Sequence, residues 1–244
     1  MSAGVAGVLL AAGGGRRFGR PKALVVLGGR TLVERGVATL LGGGCSSVLV
    51  VVGAAAADVR SVAVRAGAVP VANDAWADGL GTSLQVGLVA AAQTMAGAAV
   101  VLPADQPIVT PALVARLIGA WQAGAMVAVA AYGGMGRTPV VLDRATWPAA
   151  TAAAEGDVGA RPFIRAHPEL VVPVPCDDVG AGFDIDTEDD LWAAEEQWGE
   201  WLASGEGDLP EPVEATAASA GDPVGAVADR AINPVRQPVV RPPA

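Results

Sequence analysis

A doubly wound, mostly parallel α/β sheet with helices on both faces is the fold this sequence predicts, and three observations predict it. Short apolar runs recur along the chain, over 7–12, 46–52, 69–71, 98–102 and 125–131, each bounded by Gly, Pro, Asn or Asp. Runs of that length, rich in Val and Leu and without polar alternation, read as strands buried on both faces of a parallel sheet. Stretches with helical spacing lie between them. The composition agrees: 52% of the residues are hydrophobic but only 4% are aromatic, so the core is expected to be Ala, Val and Leu.

Taken in order, the run over 7–12 is the first strand, closed by Gly13-Gly14-Gly15. Thr31 to Leu41 has helical spacing, with Leu32, Val37, Leu40 and Leu41 expected to face the sheet. The strand over 46–52 ends at Gly53, and Asp58 is the expected N-cap of a short helix to Arg65. A third strand over 69–71 stops at Asn73-Asp74. A glycine-relaxed loop then enters a helix that Thr82 or Ser83 is suited to cap. After the strand over 98–102 comes Pro103-Ala104-Asp105-Gln106-Pro107. The next helix is expected to start with Thr110 as cap and Pro111 at the first helical position, which leaves Asp105 free of a capping duty. The strand over 125–131 leads through Gly133-Gly134 to another strand near 139–142. Val171-Val172-Pro173-Val174 reads as an edge strand, because proline removes a ladder donor. Thr187 caps a last helix whose first turn carries Glu188, Asp189 and Asp190, a sufficient structural reason for those three acids.

Length and charge narrow the function. The 244 residues suit one α/β domain, expected over 1–203, followed over 204–244 by a Pro-, Ala- and Gly-rich tail expected to be disordered or loosely docked. The net charge of −9 argues against general nucleic-acid binding, which needs clustered Lys and Arg. Cys45 and Cys176 have neither metal-ligand nor disulfide spacing, which fits the cytoplasm. The apolar run near the N-terminus lacks a cationic lead and is too short to span a membrane, so no membrane partner is expected.

Three blocks carry chemistry. Gly13-Gly14-Gly15 frees the backbone to approach a ligand closely, and Arg16, Arg17 and Lys22 follow in an otherwise acidic chain. Bare amides beside cations are a phosphate-binding arrangement. The loop has no terminal Gly-Lys-Ser/Thr and no acid closing a second strand, so it is neither a P-loop nor a Rossmann dinucleotide site. Asp105 falls just past the carboxyl end of a central strand, where open α/β sheets bind ligands. Asp184 and Asp186 precede the cap Thr187 and are not explained by it. His167, the sole histidine, precedes a proline at a helix end and reads as a surface residue.

The run Leu10-Ala11-Ala12-Gly13-x-Gly15-x-Arg17-x-Gly19-x-Pro21-Lys22-x-Leu24 resembles the signature loop of nucleotidyltransferases that join an NTP to a phosphorylated acceptor. Within that superfamily it is most similar to the MobA/MocA-like enzymes, above all the molybdenum cofactor cytidylyltransferases. Asn73 to Leu88, Asp105-Gln106-Pro107, Gly156 to Arg161 and Asp184-Ile185-Asp186-Thr187 resemble later family segments in the same order, so the likeness covers roughly residues 6 to 198. It implies a three-layer α/β/α Rossmann-like (GT-A-like) nucleotidyltransferase fold. It implies nucleotide contacts from Leu10, Ala11, Ala12, Gly13, Gly14, Gly15, Lys22, Asn73, Gly79, Gly81, Ser83 and Asp105. It also implies Mg²⁺ (or Mn²⁺) on Asp105 and Asp186, with Asp186 preferred to Asp184, and catalytic roles for Lys22, Arg17 and Asp105.

The implied reaction transfers CMP from CTP to the phosphate of a phosphorylated pterin acceptor, molybdopterin-bound molybdenum, with release of pyrophosphate and a recipient molybdoenzyme downstream. The Ala11-Ala12-Gly13 run resembles that of the cytidylyl branch, which implies CTP rather than GTP. One departure stands out: Arg137-Thr138-Pro139 replaces the family's Gly-His-Pro, which puts acceptor contacts at that histidine in doubt and makes Arg137 a candidate phosphate contact. Asp157 is suited to cap the helix after it and Arg161 to reach an acceptor phosphate or pterin, the alternative being a surface ion pair in which the two only fix this loop. The rival readings are a GTP-dependent guanylyltransferase, another nucleotidylyltransferase acting on a phosphate acceptor, and a non-catalytic cofactor-binding chaperone.

Overall fold

The computed structural model describes residues 4–203, so the tail over 204–244 lies outside the described residues. Nine strands and seven α-helices follow one another there: β1 (Val5–Leu10), β2 (Val26–Leu27), β3 (Arg30–Thr31), α1 (Leu32–Gly42), β4 (Ser47–Val52), α2 (Ala56–Arg65), β5 (Val69–Ala72), α3 (Leu80–Ala92), β6 (Ala98–Pro103), α4 (Pro111–Gln122), β7 (Val127–Tyr132), β8 (Met135–Asp143), α5 (Trp147–Ala153), α6 (Arg161–Ala166), β9 (Val171–Pro175) and α7 (Glu188–Ala203). β2 and β3 form a small hairpin. The other seven make one sheet in the order β5-β4-β1-β6-β8-β7-β9, parallel except for β8, which runs against both β6 and β7. The predicted edge strand, β9, does close one side.

Helices cover both faces. Leu9, Val50, Val100 and Leu102 pack against Val33, Val37 and Leu40 of α1 and Leu113, Val114 and Leu117 of α4. On the opposite face Val8, Val51, Val101 and Leu142 pack against Leu84 and Leu88 of α3, with Trp147 and Phe163 from α5 and α6. This is the three-layer α/β/α arrangement, and glycines bring its layers together. A Cβ on Gly36 of α1 would stand 2.6 Å from Leu9 Cδ1, and one on Gly87 of α3 would stand 2.4 Å from Val8 Cγ1. Each glycine costs its helix about 1 kcal/mol relative to alanine, and the close approach to β1 offsets that.

Helix starts split between expectation and correction. Thr31 forms a full capping box with Glu34, and Thr110 accepts from Leu113 N with Pro111 at the first helical position. Asp58 is no cap: α2 begins two residues earlier, after Ala55 in a left-handed conformation (φ 51°). Thr82 and Ser83 lie inside the first turn of α3, whose N-cap is Gly79. Asp157 does not cap α6, whose N-cap is Ala160 with no side-chain bond.

The strand order fixes where a ligand can enter. From β1 the chain moves outward to β4 and β5, then returns to place β6 on the other side of β1. Loops leaving the carboxyl ends of β1 and β6 therefore diverge and open a crevice, the switch point of a doubly wound sheet. Leu10 pairs with Pro103 there, and Ala104 N donates to Leu10 O at 3.0 Å.

Candidate active site

The loop after β1 closes on itself before it reaches Lys22. Gly15 takes φ +62°, and its carbonyl accepts from Gly19 N at 2.8 Å. A Cβ there would lie 1.9 Å from the Arg20 carbonyl oxygen, so only glycine fits this turn. Gly13 differs: its φ is ordinary and a Cβ on it would meet nothing within 4 Å, so this part of the loop faces open space. Gly14 rests against the Trp76 ring, 3.1 Å from a would-be Cβ, which ties this loop to the segment after β5. Leu10, Ala11 and Ala12 are buried beneath the loop.

Lys22 opens a short 3-10 turn, and its side chain, 16% exposed, is where the predicted residues meet. Nζ donates to Asp105 Oδ2 at 3.0 Å and to Asp186 Oδ1 at 2.5 Å. Arg17 Nη1 donates to Asp186 Oδ2 at 3.0 Å from a largely solvent-exposed position. Asp105 and Asp186, far apart in sequence, thus converge on one ammonium. Ile185 holds them together: its side chain is fully buried and its N–H donates to Asp105 O at 2.9 Å. Thr187 accepts from Asp190 N, and Asp190 Oδ2 accepts from the N–H groups of Asp186 and Thr187, which sets the start of α7.

Electrostatics follow from this packing. Burial alone would lower the Lys22 ammonium, but the carboxylates of Asp105 and Asp186 outweigh it and hold its pKa above the ordinary lysine value. Burial raises the Asp105 carboxyl above the usual range despite Lys22 beside it, and Asp184 adds to the rise. Two oxygen donors aimed at one point suit a small hard cation, which binds through one or two carboxylates and completes its shell with water and substrate phosphates. Among the described residues no cluster of three or more His, Cys, Asp or Glu side chains is set to enclose a metal, so an all-protein cage is not the arrangement here.

The remaining predicted nucleotide residues are engaged in packing. Asn73 is buried and donates from Nδ2 to Thr82 Oγ1 and Ser83 Oγ, both at 3.0 Å, while its Oδ1 accepts from Ala75 N. Ser83 is buried with it. Gly79, at φ +117°, and Gly81 let the 154–157 segment close in: a Cβ on the first would be 2.5 Å from Gly156, and on the second 2.8 Å from Glu155. Gly81 N donates to Gly156 O at 2.7 Å. These residues shape the β5–α3 side of the crevice rather than presenting side chains to it. His167 is an exposed partner of Glu169 at 3.1 Å, as expected of a surface residue. Arg137 is exposed at the start of β8, with its Cδ 2.9 Å from a would-be Cβ on Gly182. Two buried residues to which the sequence gave no role of their own, Arg35 and Gln106, line a small cavity with Pro103, Ala104 and Pro107, the chain neighbours of Asp105. Arg35 sits three residues from Leu32 on the apolar stripe of α1, a position that signals a buried charge.

With that geometry in hand, residues 7–171 match the MobA-like NTP transferase domain. The chain belongs to this family. MobA-like enzymes are nucleotidyltransferases, and the sheet with its flanking helices has their α/β architecture. A nicotine blue oxidoreductase from Paenarthrobacter nicotinovorans is 40% identical over 199 residues, spanning 77% of this chain and 95% of that protein. The crystal structure of an Rv0371c homolog from Mycobacterium sp. strain JC1 matches with 30% identity and a TM-score of 0.68, covering 79% of this chain and 96% of that one. Rv0371c from Mycobacterium tuberculosis, in complex with manganese, matches with 26% identity and a TM-score of 0.66, covering 80% and 100%. No helix among the described residues of this MobA-like chain is long and apolar enough to cross a membrane.

Proposed function

We propose that this MobA-like protein transfers CMP from CTP to the terminal phosphate of molybdopterin-bound molybdenum cofactor. The observation that carries the reading is the meeting of Lys22, Asp105 and Asp186 beside a glycine loop at the sheet's switch point. An acceptor phosphate oxygen attacks the α-phosphorus, the bond to the β-phosphate oxygen breaks, and pyrophosphate leaves with the electron pair. Both reactants are anions, so neutralising charge is the main task, and a phosphate nucleophile needs no general base.

Each residue has a part in this. Amides of Gly13 to Gly15, with Arg17, cradle the β- and γ-phosphates, and Lys22 meets the α-phosphate. Asp105 and Asp186 would hold Mg²⁺ or Mn²⁺, whose chemistry is to screen the phosphates and polarise the α-phosphoryl group. Lys22 must turn from the carboxylates toward substrate as this happens, exchanging their negative charge for that of the α-phosphate. The glycine loop and β5 lie on one side of Asp105. β8 and β7 lie on the other, which makes Arg137 an acceptor-side cation. A downstream molybdoenzyme is the recipient in this reading, and the cytoplasm its compartment.

Pyrophosphate release tests it, with CTP, GTP, ATP and UTP in turn, plus Mg²⁺, with and without molybdenum cofactor. Release with CTP only when cofactor is present supports the reading, and release with GTP moves the protein to the guanylyl branch. Silence with every nucleotide refutes the molybdenum acceptor, and a nucleotide-binding titration then separates another acceptor from a cofactor chaperone.

One observation favours a second reading: the relative at 40% identity bears an oxidoreductase's name. In that case the crevice would take a reduced dinucleotide as hydride donor, with nicotine blue as the acceptor of its two electrons. Oxidation of NADH or NADPH on addition of nicotine blue would support it.

A further inference from the structure

Helix α1 carries a cation on its buried face. Arg35 is 3% exposed, and among the described residues it forms no ion pair. Nη1 and Nη2 donate to the carbonyls of Leu27 and Pro107, each at 3.3 Å, and the guanidinium lies 3.7 Å from the centre of the Trp198 ring. Burial, with Arg30 nearby, lowers its pKa to about 10, so it stays charged at neutral pH. Its third nitrogen, Nε–H, meets no acceptor among the described residues.

Gln106 has the complementary defect. It is 6% exposed, and Nε2 donates to Asp184 Oδ1 at 2.7 Å, while Oε1 accepts from no donor among the described residues. The amide cannot simply be turned round. Reversed, it would set its oxygen against the Asp184 carboxyl oxygen 2.7 Å away, so the NH₂ end faces Asp184 and the oxygen is left on the far side needing a donor. Arg35 and Gln106 both line a cavity of about 10 Å³, together with Thr39, Leu32, Gly36 and Pro107. That is room for one water, which needs two to four polar partners to stay. Thr39 Oγ1, buried and donating to Val109 O at 3.3 Å, keeps lone pairs to offer as the third partner.

We propose that one ordered water in this cavity accepts from Arg35 Nε and donates to Gln106 Oε1 and Thr39 Oγ1, making Gln106 a positioning residue for the Asp184–Asp186 segment. This rests on the reading of Asp105 and Asp186 as cation ligands. Fixed at both ends, Gln106 is a strut from the Asp105 loop to Asp184, and the Ile185 N–H bond to Asp105 O is a second. Two struts on adjacent residues hold Asp186 at a set distance from Asp105, as outer partners commonly do for ligating carboxylates. Arg35 joins the far end of this chain to the β2–β3 hairpin through Leu27 and to α7 through Trp198, so the site is braced by elements remote in sequence.

Two measurements test this. A high-resolution crystal structure should show the water within hydrogen-bond distance of both orphaned atoms, and an empty cavity or a reversed Gln106 amide overturns the proposal. Mn²⁺ titration of the full chain by electron paramagnetic resonance, without nucleotide, reads the positioning role. We expect about tenfold weaker binding for Gln106→Leu, and a smaller loss for Arg35→Lys, which keeps the charge but not the Nε–H. Melting curves identify any variant that fails to fold, in which case the other decides. Wild-type Mn²⁺ affinity in a folded variant overturns the positioning role. Absence of Mn²⁺ binding in the wild type overturns the cation reading itself, and the crystal structure still decides the water.

Discussion

Gly13 and Gly15 differ by two residues, and replacing each with alanine should produce opposite effects. Gly15 sits at φ +62°, and a Cβ would lie 1.9 Å from the Arg20 carbonyl oxygen, far inside contact distance. Left-handed backbone costs a non-glycine residue about 1–2 kcal/mol, and relieving the overlap requires opening the turn closed by Gly19 N, so we expect Gly15→Ala to cost about 2–4 kcal/mol in all. For a chain of this size that lowers the melting temperature by about 5–15 °C. Gly13 has an ordinary φ, and its Cβ would meet nothing within 4 Å. Alanine there removes freedom from the unfolded chain without native strain and should stabilise by about 0.4–1 kcal/mol. The new methyl would nonetheless project into the space where the phosphates are proposed to lie, and we expect about tenfold weaker CTP binding from the lost close approach. Calorimetric melting and a CTP titration on both variants read all four values. A Gly13→Ala protein that binds CTP as tightly as wild type would refute the phosphate cradle, and a Gly15→Ala protein that melts normally would refute the turn geometry.

The other predictions concern charge and pH. Asp105→Ala should abolish turnover in the pyrophosphate assay while keeping the fold and metal-free nucleotide binding. Lys22→Met should lower kcat by about 10²–10³-fold, as expected for losing a cation aimed at developing charge. Arg137→Ala should raise the KM for the acceptor about tenfold and leave the KM for CTP unchanged, because β8 lies on the far side of Asp105 from the glycine loop. Burial pushes the Cys45 thiol from 9.0 up to about 12. Between those values the unfolded chain has lost the proton that the folded one retains, so stability should fall by about 1.4 kcal/mol per pH unit over that window. Cys45→Ala should flatten the decline in a series of denaturant melts, and both buried thiols should resist a thiol reagent in the native protein.

What could be read from the sequence was whatever a contiguous segment settles by itself. The buried strands announce themselves as Val- and Leu-rich runs, and Thr31, Thr110 and Thr187 announce helix starts because a cap bonds only two or three residues ahead. Asp105 and Asp186 stood out because no local duty explained them, and the structure brings them to the same ammonium. What escaped the sequence shares a cause. Asp58 looked like a cap, but Ala55 takes the left-handed turn that starts α2, a conformation with no side-chain signature. Gly79 and Gly81 stand in the sequence as nucleotide-contact candidates, and the structure adds a packing duty that no local pattern shows: the chain's own segment around Gly156 approaches them, a contact across more than seventy residues. Asn73 and Ser83, ten residues apart, are hydrogen-bonded to one another once α3 folds back on the end of β5. Arg35 and Gln106 were passed over because their importance lies in what they lack, and an orphaned Nε or Oε1 exists only once the core has closed around it.

The oxidoreductase name on the 40%-identical relative sharpens the meaning of Lys22, Asp105 and Asp186. Hydride transfer moves a proton and an electron pair between two ring systems held face to face. It gains nothing from two carboxylates gathered around an ammonium, and keeping such a cluster partly buried is costly unless its charges have work to do. Nucleotidyl transfer needs that cluster, since an anionic acceptor must approach an anionic phosphate. Asp186→Asn therefore separates the readings. It should remove nucleotidyl transfer and weaken Mn²⁺ binding, whereas a dinucleotide-dependent reduction of nicotine blue should survive it. A variant that reduces the dye at the wild-type rate and shows no pyrophosphate release, from a wild type that shows none either, would mean that this crevice has kept the family's carboxylates and changed its chemistry.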